Sequence, residues 1–329
     1  MRNDSISNCA LRITHCLSEG VCLEIIKKVI GLTKKYPRPV VALGMFDGVH
    51  LGHAAVIRHA IDIAKKISGT AIVFTFSNHP LTVIAPDDAP LMIGSKNLRR
   101  EIFSELGVEV LIEIQFTKEF SKKSPEEFLE LLQEKIAPAY VVTGPNYTFG
   151  RFGRGNGRML LREAENFGFK AEVCQTFTVE RKIVSSTRIR ALIAAGDLAS
   201  ANQLLGRNFT YAGEVVNGDK RGRKIGFPTA NLEIGDHRAM LPNGAYIVRV
   251  KVREKFFNGI ANIGDNPTFK VAKRRLEVFI DNFSGDIYGE EIFVSFIDKL
   301  RDEKIFSSVE DLKAQLNEDL RVMRNATAD

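Results

Sequence analysis

The 329-residue chain contains no tryptophan and only four cysteines, Cys9, Cys16, Cys22 and Cys174. No Cys-x-x-Cys occurs and no histidine stands at zinc spacing, which excludes a zinc-finger or disulfide scaffold and predicts reduced thiols in a cytoplasmic protein. No run approaches the roughly 18 apolar residues of a membrane span. The nearest, Leu23 to Leu32, is interrupted by Glu24, Lys27 and Lys28. The first twenty residues lack the apolar core of a signal peptide, and Asp4 and Glu19 count against a transit peptide, so no membrane partner is expected. Charge of one sign is scarce: 46 Lys+Arg against 40 Asp+Glu leave net +6, spread without basic blocks. Nucleic acid is therefore not expected as a partner.

What is present is enough apolar residue, 44% of the chain, for two cores at about 150 residues per domain. From about residue 38 to 205, short apolar runs (Pro39 to Leu43, Thr70 to Phe76, Val108 to Phe116, Tyr140 to Thr143, Ala171 to Phe177) alternate with helical stretches at Gly52 to Ile67, Ser124 to Ile136 and Arg158 to Asn166. That alternation predicts an α/β domain with a parallel, Rossmann-like sheet, whose ligands sit beyond the C-terminal strand ends. After Leu205 and Gly206, runs at Thr210 to Val216, Tyr246 to Val252, Phe256 to Ile263, Leu276 to Asp281 and Ile292 to Phe296 follow one another with Gly, Pro and Asn between them and no helix until Ser308. They predict an antiparallel β-barrel closed by a helix from Ser308 to about Val322. The domains expected are 1–205 and 206–329.

Chemistry-bearing residues cluster in the loops. Gly44-Met45-Phe46-Asp47-Gly48-Val49-His50-Leu51-Gly52-His53 leaves a strand and opens a helix, so free N–H groups and the positive dipole end face the loop. An anion is the natural guest. His50 and His53 at this spacing share one side of the first turn, and Gly52 permits close approach. A His-x-x-His pair alone is more often surface or half a metal site; the strand, glycines and helix start favour phosphate. Ser185-Ser186-Thr187-Arg188-Ile189-Arg190 begins another helix, ending at Gly196. An N-cap explains one hydroxyl but not three followed by two arginines, which oppose the dipole unless an anion is bound. Gly144-Pro145-Asn146-Tyr147-Thr148-Phe149-Gly150 follows a strand but is weak by itself, and neither a P-loop nor a dinucleotide fingerprint occurs. In the second domain Gly213 to Gly218 leads through Gly222-Arg223-Lys224 to Gly226-Phe227-Pro228-Thr229-Ala230-Asn231. Thr229 and Asn231 share one face of extended chain, where their oxygens can ligate ATP-bound Mg²⁺; a glycine-rich hairpin is the equal alternative.

Taken together, Phe46-Asp47-Gly48-x-His50-x-Gly52-His53 and Ser185-Ser186-Thr187-Arg188-x-Arg190 resemble the adenylyltransferase module of bifunctional riboflavin kinase/FMN adenylyltransferase, the prokaryotic FAD synthetase. The glycine string to Asn231, Ile263-Gly264-x-x-Pro267-Thr268-Phe269, Glu277 ahead of Phe279-Ile280-Asp281, Asp286 to Gly289 and Arg301 to Phe306 resemble its kinase module in order, so the likeness covers about Pro39 to Leu320. The resemblance implies that riboflavin is phosphorylated with ATP to FMN, and that AMP then passes from ATP to FMN to give FAD and pyrophosphate. It implies His50 and His53 as catalytic, with Gly44, Phe46, Asp47, Gly48, Asn146, Ser186, Thr187, Arg188 and Arg190 around ATP. It implies Glu277 as the base for the riboflavin 5′-hydroxyl, Gly218, Arg223, Thr229 and Asn231 around the kinase ATP, and Mg²⁺ on Thr229 and Asn231. The partners implied are riboflavin, FMN and ATP. A kinase with a degenerate adenylyl site is the alternative.

Overall fold

The computed structural model describes residues 12–15, 23–218, 221–266 and 273–327. Cys9, Cys16, Cys22 and the Pro267-Thr268-Phe269 string lie outside them. The chain divides into two compact units, residues 1–90 with 99–184 and residues 91–98 with 185–329. In sequence the matching textures change near 205, but helices over 186–195 and 198–205 are compact with the second unit.

The first unit carries a sheet in the order β1 (Arg12–His15), β2 (Leu23–Ile26), β5 (Val110–Ile114), β4 (Ala71–Phe76), β3 (Val40–Leu43), β6 (Tyr140–Thr143), β9 (Lys170–Val173). Six strands are parallel, as expected, and β1 runs antiparallel to β2 at the edge. Helix α1 (Leu51–Lys66) follows β3 and buries Ala54, Ile57, Ala60, Ile61 and Ala64, the one-sided stripe a helix lays on a sheet. Further α-helices in this stretch are short α2 (Leu81–Ile84), α3 (Lys96–Glu105), whose first three residues group with the second unit, α4 (Pro125–Lys135) and α5 (Gly157–Glu163). The start of α4 is fixed as its sequence requires: Ser124 accepts from Glu127 N–H, Glu127 reaches back to Ser124 N–H, and Pro125 occupies the first turn. Beneath α4, Phe128, Leu129 and Leu132 join Leu43, Phe74, Ile112 and Val141 in one core. Two small hairpins, β7 (Thr148–Phe149) with β8 (Gly155–Asn156) and β10 (Thr178–Val179) with β11 (Lys182–Ile183), decorate the loops after β6 and β9.

The strand β2 and the helix α3 are among the elements that local sequence pattern does not place. The run beginning at Leu23 contains β2, where Leu23, Ile25 and Ile26 are buried and the intervening Glu24 accepts from the Tyr36 hydroxyl at 2.8 Å. No element is assigned from the sequence over 96–105, where α3 forms; its Arg99 is 1% exposed, with Nη1 and Nη2 held by partners described below and the buried Nε left without one.

In the second unit, α6 (Ser186–Ala195) and α7 (Leu198–Leu205) precede a closed barrel. Its order is β12 (Phe209–Val216), β13 (Thr229–Glu233), β16 (Lys273–Ile280), β15 (Lys255–Asn266), β14 (Gly244–Val252), β17 (Glu291–Arg301), and every neighbour pair is antiparallel. A single turn, α8 (Arg221–Lys224), interrupts the segment before β13, where no helix is expected. Leu232, Leu276 and Val278 point inward and are fully buried, so the alternate residues of β13 and β16 face out. Helix α9 (Val309–Ala326) is capped by Ser308 and packs Met323 on Ala245, Ile247 and Ile260 of the outer barrel face. Its buried Asp319 receives Arg301 through both Nε and Nη2, at 3.0 and 2.8 Å.

Candidate active sites

The loop from β3 to α1 adopts a conformation that its residue types make costly. Phe46 and Val49 have φ of +49° and +36°, and Gly48 has φ of +75°. A β-branched residue in this region is a true outlier, and strain of this kind persists only where the surroundings enforce it. Gly44 is required for a different reason: an added Cβ would lie 2.7 Å from the Phe46 ring, which folds back over it. The loop delivers His50 as the N-cap of α1, with Nδ1 accepting from His53 N–H at 3.2 Å. An accepting Nδ1 carries no proton, so His50 can donate only through Nε2. The two imidazoles stack at 3.6 Å between centroids and 15° between planes. His50 is 5% exposed and Asp47 2%. The stacked pair therefore stands at the first turn of a helix, the setting in which anions are bound. Phe177 borders Gly52, where an added Cβ would lie 3.5 Å from its Cβ.

What enforces the strained turn was not visible in the motif. The Met45 carbonyl accepts from Thr75 Oγ1 and from Arg99 Nη1, both at 3.0 Å. Arg99 Nη2 donates to the Phe76 carbonyl at 3.0 Å and to buried Glu113 at 3.2 Å. Arg100 also pairs with Glu113. Burial pushes the Arg99 guanidinium down from its ordinary value, opposed by Glu113 and Asp47. The Phe46 ring meets His53 edge-on at 5.4 Å and Phe103 at 6.0 Å.

The loop after β6 places Asn146 at the surface, Tyr147 half-buried and Phe149 in the core. Burial pushes the Tyr147 phenol up. Gly150, at φ +71°, lies so close to Pro125 that a Cβ would stand 2.5 Å from its nitrogen. This loop belongs to the first unit with the histidine turn.

In the second unit, Ser185 caps α6, its Oγ accepting from Arg188 N–H at 3.3 Å. Ser186, Thr187, Arg188 and Arg190 thus occupy the first turns, with Thr187 exposed, and Gly196 closes the helix at φ +77°. Arg190 Nε donates to the Leu91 carbonyl at 2.7 Å. No acidic residue stands in this first turn, leaving its positive end uncompensated by the helix itself.

On the barrel, register brings together what sequence distance separates. Asn231 pairs with Glu277 and Thr229 with Phe279 across β13 and β16, and Glu277 pairs with Asn262 across β16 and β15. Directly opposed residues have Cβ atoms about 4.5–5.5 Å apart on one face, here the outer one. Asn231 is 7% exposed, and its Nδ2 donates to the Thr229 carbonyl at 3.3 Å, so the oxygen is the atom left for a hard ligand. The glycine segment lies directly on this pair. A Cβ on Gly218 would stand 2.4 Å from the Asn231 amide, and one on Gly222 would stand 2.2 Å from the Phe227 carbonyl and 3.8 Å from Thr229 Oγ1. Arg223, in the turn α8, belongs to the same segment. Phe227 packs on Phe279 at 5.6 Å. Among the described residues, no group of three or more His, Cys, Asp or Glu is placed to hold a metal.

Comparison with known proteins gives matches for both halves. The sequence model of FAD synthetase matches residues 33–188, and that of riboflavin kinase matches residues 205–327. A bifunctional riboflavin kinase/FMN adenylyltransferase of Listeria monocytogenes is 38% identical over 85% of this chain and 90% of its own. The protein of that name from Escherichia coli K12 is 34% identical over 85% and 90%. A crystal structure titled as a macrolide-efflux protein from Streptococcus pneumoniae superposes with a TM-score of 0.79 at 33% identity, covering 92% of this chain and 99% of that one. Among the described residues, no helix is long and apolar enough to cross a membrane.

Proposed function

The chain belongs to the bifunctional riboflavin kinase/FMN adenylyltransferase family, and from that premise we propose which of its residues carry each of the two reactions. It is a transferase that makes FMN from riboflavin and FAD from FMN, each with ATP. Because both modules are matched, the reading with an adenylyl half stands over the kinase-only alternative. We assign AMP transfer to 1–205 and phosphorylation to 206–329.

In AMP transfer an FMN phosphate oxygen attacks the α-phosphorus of ATP and the bond to the β,γ-pyrophosphate breaks. Negative charge grows on the α-phosphate oxygens. His50, through Nε2–H, and His53 donate to that charge, and the first-turn N–H groups of α1 add their dipole. Gly44, Phe46, Asp47, Gly48 and Asn146 shape the nucleotide's surroundings. Ser186, Thr187, Arg188 and Arg190, in the first turns of α6, hold phosphate oxygens that leave. Removing one preorganised donor of this type costs about 2.7–4 kcal/mol in the transition state.

In phosphorylation Glu277 accepts the proton of the riboflavin 5′-hydroxyl as its oxygen attacks the γ-phosphorus. Gly218 and Arg223 border the ATP phosphates. The hydroxyl of Thr229 and the amide oxygen of Asn231 are hard donors on one face, beside a cradle that a single Cβ would fill, and they suit Mg²⁺. When bound, that ion neutralises phosphate charge. Phosphoryl transfer needs chiefly positioning and such neutralisation, and the ladder supplies the positioning of Glu277.

The observation that carries this reading is the pairing of Asn231 with Glu277, roofed by Gly218, in one unit while the stacked His50 and His53 belong to the other. Incubation with riboflavin, ATP and Mg²⁺, resolved by chromatography, tests it. FMN and then FAD are expected; FMN alone contradicts the adenylyl half, and no flavin product contradicts both.

A further inference from the structure

We infer that Arg99 is a positioning residue for AMP transfer, acting through the Met45 carbonyl and the Phe46 ring to fix the His53 imidazole. The inference rests on the assignment of His53 above and extends it to a residue outside the loop motif.

Three observations carry it. First, Arg99 is 1% exposed, and burying a guanidinium is costly unless its donors are used in fixed directions. Its fork spans two strand ends: Nη1 holds the Met45 carbonyl beyond β3, and Nη2 holds the Phe76 carbonyl at the end of β4 and the Glu113 carboxylate on β5. These are the C-terminal ends of the sheet, where the histidine loop departs. Second, the held carbonyl immediately precedes Phe46, whose φ of +49° the chain would not adopt unaided. A second donor, Thr75 Oγ1, reaches the same oxygen, so the peptide before the strained residue is held from two directions. Third, Phe103 lies four residues after Arg99, on the same face of α3, and its ring meets the Phe46 ring edge-on. That one helix face therefore grips both the backbone before Phe46 and the side chain of Phe46. The same Phe46 ring also meets His53 in a T-shaped contact, and His53 stacks on His50. A lysine in place of Arg99 keeps the charge but cannot reproduce a planar fork that serves two carbonyls and a carboxylate together.

The test is a double-variant cycle in the full-length enzyme, reading FAD formation from FMN and ATP, with riboflavin kinase kcat in the same chain as the control for folding. Arg99→Lys is expected to lower the FAD-forming kcat about 10- to 100-fold, as misplacement of a reacting group does, while leaving KM for ATP and the kinase kcat nearly unchanged. In a His53→Gln background the same change is expected to cost less than about threefold, because the group it acts through is gone. Phe103→Leu, which alters no charge, is expected to show the same signature at about three- to tenfold. A wild-type FAD rate in His53→Gln overturns the assignment of His53 and this inference with it. A loss in His53→Gln combined with a wild-type rate in Arg99→Lys overturns the positioning role alone. So does an equal factor in both backgrounds, or a parallel fall in kinase kcat that marks damage to the fold.

Discussion

The two regions proposed to handle phosphate are built by opposite means. In the first unit, the proposed donors His50 and His53 follow a turn whose backbone is strained at Phe46 and Val49 and is held by buried Arg99, Thr75 and Phe103. In the barrel, Thr229, Asn231 and Glu277 need no unusual backbone, because the antiparallel ladder alone puts them on one face. The first arrangement depends on side chains far from the motif; the second depends on register. Substitutions behind the first site should therefore change rate without touching the second, whereas the barrel site should yield only to changes in its own face, its roof or the barrel's integrity.

The largest expected effect separates the two chemistries outright. Glu277→Gln keeps the ladder and removes the proposed base, so riboflavin phosphorylation is expected to fall about 10²- to 10⁴-fold while added FMN is still converted to FAD. Stopped-assay chromatography of both products reads this. Next in size is the barrel's own anchor. Asp319→Ala strands Arg301, which is 14% exposed, and removing one partner of such a buried pair costs about 3–5 kcal/mol. Denaturant unfolding should show the loss in a transition that coincides with loss of kinase activity. Gly218→Ala probes the roof. Overpacking against the Asn231 amide costs about 1–3 kcal/mol, expected as a raised KM for ATP in the kinase step and an unchanged KM in AMP transfer.

The smallest effect is a pH dependence. Hydrogen bonding to Arg324 holds the Asp281 carboxyl below its ordinary value. A depressed folded-state pKa means stability that is present above the unfolded value, about 3.9, and lost as pH falls through the folded value. Arg324 is 58% exposed, so the pair contributes about 0.2–1 kcal/mol. Arg324→Gln should remove that part of the acid sensitivity below about pH 4 and leave unfolding at pH 7 shifted by no more than this amount.

Much of this was legible before any coordinates. The α/β alternation, the barrel texture, the Ser124 capping box and the Gly196 C-cap are local signals, and local physics honours them. The histidine turn and the Thr229–Asn231 face were also readable, since each depends on neighbours in sequence. The edge strand β1, the helix α3 and the grip of Arg99 were not. An arginine on an inward helical position reads as polar surface, and only the distant Met45, Phe76 and Glu113 oxygens reverse that reading. Likewise the opposition of Asn231 and Glu277 is a matter of register between strands separated by two others in the chain, which no local pattern specifies.

The most direct test that the two reactions use separate sets of residues is to mix variants. His53→Ala and Glu277→Gln, each supplied with riboflavin, ATP and Mg²⁺, should form no appreciable FAD alone. Together they should form it, because FMN released by the first is taken up by the second. A mixture that accumulates no more FAD than its two components separately would contradict the account.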